Sequence, residues 1–216
     1  MELISDPNRF FEKLAEKETK LLKPVLAVIL PMSILGGIYQ YAISMKLAEA
    51  FVGDVAFVFK LVAYLGVVFA LITSFVSWLI LTLIMFALSV LFGGEGSFRK
   101  TLESVGYGFF PFLISSLIKT PLTVKYALEA ELPKISMNTI KENTEAVNLV
   151  VKSLLPPEVI YSSAVINVAA TVWAVVMWSF ALKHSRNLEF RKAFVSASIP
   201  AVLYTAYQLW TLLRLL

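Results

Sequence analysis

From residue 24 onward, long apolar runs alternate with short charged segments, and several runs are long enough to cross a membrane as helices. Crossing a hydrocarbon core about 30 Å thick takes roughly 20 helical residues. The first run spans 24–45. Pro24 stands at its entrance, Pro31 a third of the way in predicts a kink, and Gly36-Gly37 offers a flat surface for a neighbouring helix. Residues 55–92 are apolar apart from Lys60 and a few hydroxyls; as one helix they would reach about 57 Å. Lys60 at mid-membrane would cost about 2.5–3.5 kcal/mol. The pattern is therefore read as a partly interfacial helix over 47–64, with Asp54 and Lys60 near headgroups, leading near Gly66 into a second span over 67–91.

A third span covers 102–118. Thr120-Pro121 is a cap-plus-proline signal for a new, less apolar helix ending near Leu132-Pro133. Thr139 and Glu142 are spaced as a capping box for an amphipathic helix over Ile140–Leu155, which Pro156-Pro157 stops. The fourth span covers 159–182 and the fifth 193–213. The expected fold class is all-α: an integral membrane bundle of five transmembrane helices occupying 24–216. The 120–157 connection is helical, and no sequence repeat supports an inverted-repeat transporter.

Residues 1–23 form a separate cytoplasmic segment. Asp6-Pro7 starts a helix whose Phe10, Phe11, Leu14, Leu21 and Leu22 make an apolar stripe. Arg9, Lys13, Lys17, Lys20 and Lys23 can reach headgroups, so the helix either lies amphipathically on the membrane or packs, solvated, on the rest of the protein. The opening residues lack the apolar core of a signal peptide.

Composition agrees. Hydrophobic residues make up 58% and charged residues 16% of the chain, too few charges to coat a soluble globule. Mean hydropathy is +0.78. The net charge of +4 fits lysines and arginines held against anionic headgroups, not nucleic acid. With no cysteine, disulfides and thiolate chemistry are impossible; scarce Gln with many Lys and Glu weakly suggests a heat-adapted source. Basic residues concentrate in the N-segment, in the 93–101 turn (Arg99, Lys100) and in the 183–192 turn (Lys183, Arg186, Arg191, Lys192). Lys46, Lys60, the diluted lysines of 119–157 and Arg214 fall on the other side. The asymmetry places the protein in the cell membrane, N-terminus cytoplasmic, C-terminus outside, and the 120–157 connection extracytoplasmic.

Candidate chemistry is sparse. The single histidine, His184, sits in a basic turn and reads as a solvated loop residue, and no HExxH occurs, so no metal or other cofactor is expected. Gly93-Gly94-Glu95-Gly96-Ser97 resembles a phosphate cradle but lacks the Gly-Lys-Ser/Thr ending of a P-loop; a hairpin needing positive φ explains it better. The spans carry no convincing central charge, which disfavours a proton-coupled pump. Asn167 and Gln208, near the middle of spans four and five, are placed for an interhelical hydrogen bond or a polar path. Trp78, Trp173, Trp178 and Trp210 read as packing or interface anchors. No residue set for catalysis is identifiable.

The Gly93-Gly94 turn with aromatic and basic residues, followed by Gly106-Tyr107-Gly108-Phe109-Phe110-Pro111, resembles the Yip family, whose third span carries a Gly-Tyr-x-x-x-Pro signature. Asp6-Pro7 with Phe10-Phe11, and Arg191-Lys192-Ala193 with Pro200, resemble the short prokaryotic members. The resemblance implies five spans, a cytoplasmic N-terminus and an outside C-terminus. Eukaryotic members bind Rab-type GTPases through a longer N-segment with an Asp-Leu-Tyr-Gly-Pro motif. Residues 1–23 have no such motif, so that partner is not expected. Gly93, Gly94, Gly96, Gly106, Tyr107 and Pro111 are the motif and hinge candidates; Arg99, Lys100, Arg186, Arg191 and Lys192 are the candidate headgroup-facing cations.

Two function classes follow. One is a non-enzymatic scaffold or adaptor in membrane organisation or trafficking-like processes, with the bilayer and a membrane or cytoplasmic protein as partners and a homo-oligomer as an option. The alternative is a transporter, channel or lipid-moving protein with a polar path between spans. The topology is testable with a reporter fused at each end: the termini are expected on opposite sides, and a cytoplasmic C-terminus would overturn the five-span count.

Overall fold

The computed structural model describes residues 2–135, 150 and 152–213. The described chain is helical throughout, in the order α1 (Glu2–Ser5), α2 (Pro7–Glu16), α3 (Leu22–Pro24), a π-turn (Val25–Ile29), α4 (Leu30–Ala50), α5 (Asp54–Leu91), α6 (Phe98–Gly108), α7 (Phe110–Glu129), α8 (Pro157–Ser185) and α9 (Phe190–Leu213). Four stretches are long and apolar enough to cross a membrane: Leu22–Ala50, Asp54–Leu91, Phe98–Glu129 and Pro157–Ser185. Helix α9 has 24 residues but is not among them. The capping box at Thr139 and Glu142, most of the Ile140–Leu155 helix and Arg214 lie outside the described residues; 152–154 are helical.

Two elements differ from expectation, and a third takes the expected form. Helix α5 runs unbroken for 38 residues, where an interfacial helix and a separate span were expected. Gly66 alone costs a helix only about 1 kcal/mol, and no proline lies between Asp54 and Leu91 to stop it. Helix α7 likewise passes through Pro121, although Thr120-Pro121 was expected to start a new helix. One missing bond does not end a helix whose flanks continue on both sides. At Pro31 the expected distortion takes a definite form. The preceding Val25–Ile29 turn is π-helical, and Leu30 N–H bonds Val25 O. An extra residue in the turn accommodates a proline with no donor.

The chain divides into two units. The first comprises 1–32, 73–115 and 167–208, the second 33–72, 116–166 and 209–216. In the second unit the α4 and α5 segments run antiparallel. A Cβ on Gly37 would meet Val67, and one on Gly66 would meet Gln40; the Tyr41 and Tyr64 rings meet edge-on at 5.7 Å. Gly66 is thus a groove for Gln40, whose amide donates to Ser44 Oγ at 3.0 Å. Ala50, Phe51, Ile135 and Val150 form a small core, joined by Ile135 N–H donating to Ala50 O at 2.7 Å.

In the first unit the N-terminal segment packs on protein. Asp6 caps α2 by accepting from Arg9 N–H at 3.0 Å. Phe11, fully buried, joins Met177 and Ala181 of α8, with Phe10, Leu14 and Tyr107 around them. Of the two uses the sequence allows for this stripe, Phe10, Phe11 and Leu14 take the packing of the helix on the protein itself.

Candidate functional site

The glycine-rich turn between α5 and α6 is organised by an arginine about 90 positions downstream. Asn187, with φ +51°, ends α8 in the left-handed conformation. This turns the Arg186 side chain inward, where the residue is 2% exposed. Its Nε donates to Ser89 Oγ at 2.9 Å, and its two terminal nitrogens donate to the Gly96 and Gly94 carbonyls. The guanidinium lies over the Phe86 ring, 4.2 Å from its centroid. Glu95 N–H closes the clamp by donating to Arg186 O at 2.8 Å, while Gly94 N–H is taken by Ser89 O, also at 2.8 Å. Gly96 reaches this geometry with φ +115°, and a Cβ there would lie 2.5 Å from Ser185 O.

A phosphate cradle points N–H groups at an anion. This turn points carbonyls at a cation, and the Gly94 and Glu95 N–H groups are already bonded. Its chemistry is that of an arginine receptor.

Helix α6 starts at Ser97, whose Oγ accepts from Lys100 N–H at 3.2 Å. Three residues later Glu103 is 1% exposed. Its Oε2 accepts from Lys100 Nζ at 2.9 Å and its Oε1 from Lys20 N–H at 2.9 Å. Lys100 Nζ also donates to Lys17 O at 2.7 Å. This buried ion pair thereby ties the segment entering the first apolar helix to α6. The spacing of Lys100 and Glu103 on one helix face was a readable signal; that both ions turn inward was not.

The far end of α6 carries the Gly-Tyr-x-x-x-Pro segment. Pro111 has no N–H to offer the preceding turn, and α6 stops at Gly108, with Phe109 N–H bonding back to Gly106 O. The Val105 carbonyl is capped instead by the Trp178 indole N–H at 3.1 Å. Trp178 is fully buried, and a Cβ on Gly108 would collide with its ring. On the other face, a Cβ on Gly106 would come 2.9 Å from Pro24 and 3.1 Å from the Trp78 nitrogen, which donates to Leu102 O at 3.0 Å. The two glycines are seats for two tryptophans. Tyr107 meets Phe10 edge-to-face at 5.2 Å.

Of the five cations expected to face headgroups, Arg99, Arg191 and Lys192 are exposed. Lys100 and Arg186 are buried, because each finds its acceptors inside the protein. His184 is not a solvated loop residue. It lies in the last turn of α8, where its Nε2 and the Lys183 ammonium share Asn8 Oδ1, each at 2.9 Å. Helices α8 and α9 are joined by Thr205 Oγ1 donating to Thr171 Oγ1 at 3.0 Å, and Thr171 donates to Asn167 O at 2.9 Å. Gln208 bonds Tyr204 one turn away. Among the described residues no group of three or more His, Asp or Glu is placed to hold a metal ion.

Residues 1–212 match the family model described as the Yip1 domain. An uncharacterised protein of Methanocaldococcus jannaschii is 35% identical over 122 residues, covering 56% of this chain and 86% of its own. No solved structure matches.

The buried ion pair makes a testable prediction. Glu103→Leu strands the Lys100 charge and should destabilise the fold by about 3–5 kcal/mol, whereas Lys100→Met/Glu103→Leu removes both ions and should cost clearly less. Thermal unfolding in detergent measures both, and equal losses would refute the pairing.

Proposed function

Because the chain belongs to the Yip1 domain family, we propose that it is a non-enzymatic membrane scaffold or adaptor that organises the bilayer around it and recruits protein partners to one face. In this reading α9 is a fifth span, the N-terminus is cytoplasmic and the C-terminus lies outside. The observation that carries the proposal is the use made of the ionic groups at the α6 end of the first unit. Lys100, Glu103 and Arg186 are bonded to one another, to Ser89 or to the chain's own backbone, so they build a platform that holds the glycine turn and the start of α6. Arg99, Arg191 and Lys192 remain exposed at that platform's turns. They are available to anionic headgroups or to an acidic partner. The docked N-terminal segment supports the same reading, since α2 packs through Phe11 on Met177 and Ala181 and adds protein surface to this unit.

The test is reconstitution of the full chain in vesicles, paired with cross-linked capture from native membranes. A scaffold gives background flux of lipid and small solutes, together with a reproducible protein partner whose capture weakens in Arg99→Gln/Arg191→Gln/Lys192→Gln. Flux well above background that collapses in Asn167→Leu or Gln208→Leu would replace this reading with a conduit.

A further inference from the structure

A cavity of about 330 Å³ opens in the first unit between α2, the segment leading to α3, and α6. Its apolar lining includes Phe10, Leu14 and Tyr107, and Lys17, Lys20 and Lys23 line it as well. All three lysines are exposed. Among the described residues no carboxylate lies within ion-pair range of them. Two acids also line the cavity. Glu103 is neutralised by Lys100 at 2.9 Å, which leaves Glu18 as the single carboxylate facing three lysines. Such a cavity repels cations, offers an oxyanion several donors and gives an adjoining apolar group aromatic cover.

Its position in the chain narrows the ligand. Lys17, Lys20 and Lys23 immediately precede or open the apolar stretch Leu22–Ala50, and Glu103 and Tyr107 lie near the start of the stretch Phe98–Glu129. Two membrane-length stretches therefore begin at this cavity. Leu22 and Leu26, beside and just beyond the lysines, are 72% and 61% exposed. An anion bound here at a bilayer has its charge at the level of the headgroups and an apolar track beside it.

From this juxtaposition we propose that the cavity binds a phosphate-bearing group, held by Lys17, Lys20 and Lys23 and covered by Phe10 and Tyr107, and that the exposed Leu22 and Leu26 make an anionic phospholipid headgroup its source. The volume is at the small end of ligand sites and suits a glycerophosphate headgroup, not a nucleotide. The site does not depend on the scaffold reading; a conduit could carry it equally well.

Native mass spectrometry of the purified, delipidated full chain in detergent tests this, with phosphatidylglycerol or phosphatidylcholine titrated back. The wild type should retain one phosphatidylglycerol in preference to phosphatidylcholine. Lys17→Gln/Lys20→Gln/Lys23→Gln should weaken retention at least about tenfold, given roughly 1 kcal/mol per cation near an anionic surface. Lys125→Gln/Lys134→Gln/Lys152→Gln, with the same change in net charge at exposed lysines away from the cavity, should leave it unchanged. If the triple cavity variant does not fold, the single Lys20→Gln variant should still weaken retention about fivefold. A second arm measures thermal stabilisation by sn-glycerol 3-phosphate. Stabilisation and competition at the concentration of the intact lipid would keep the phosphate site but assign it a free phosphate compound; competition only at far higher concentration assigns it to the lipid. Equal retention of the two lipids, or equal losses in the two triple variants, would overturn the proposal.

Discussion

A guanidinium withdrawn from water must find its hydrogen bonds inside the protein, and among the described residues no carboxylate supplies them to Arg186. Backbone carbonyls do so instead. Carbonyls can converge on one cation only if the chain that carries them turns tightly, which is what the Gly93–Ser97 segment does. The requirement extends in both directions. Towards the C-terminus it fixes the end of α8, where Asn187 takes the left-handed conformation. Towards α6 it fixes the helix start, since Ser97 caps α6 immediately after the clamped glycine. Everything α6 then carries, from the Lys100–Glu103 pair to the seats for Trp78 and Trp178, inherits its position from that turn.

The arrangement gives the glycine-and-tyrosine segment a physical meaning. Small residues let α6 sit against two large indoles, and each indole N–H serves a carbonyl of α6. Packing and hydrogen bonding thus come from the same side chains, an economical solution in an apolar medium where unsatisfied carbonyls are costly. A larger residue at Gly106 or Gly108 would displace an indole, and at Gly108 it would also leave the Val105 carbonyl without its Trp178 donor.

Much of this was legible in the chain. The apolar runs located the long helices, because length and hydropathy are properties of a segment by itself. The Asp6-Pro7 start and the Pro31 distortion followed from backbone chemistry, and the Gly-Tyr-x-x-x-Pro segment led to the family. What was hidden depended on distant partners. Arg186 and Lys192 lie in the same basic turn, yet one is buried and the other exposed, and only the carbonyls of residues 94 and 96 decide it. Lys100 and Arg99 are neighbours separated in the same way by Glu103 and Lys17 O. Helix α5 was divided on its length and on the cost of Lys60 at mid-membrane, whereas the helix runs on unbroken through Gly66, whose use as the seat for Gln40 needs the facing helix.

Hydrogen–deuterium exchange over residues 92–99, compared between the wild type and Arg186→Lys, tests the central claim most directly. Lysine keeps the charge but cannot reach Ser89 Oγ and both glycine carbonyls at once. The account predicts that exchange at Gly94, Glu95 and the first turn of α6 accelerates at least about tenfold, the equivalent of roughly 1.4 kcal/mol of lost protection, while α9 is unchanged. Unaltered protection across 92–99 in the lysine variant would contradict it.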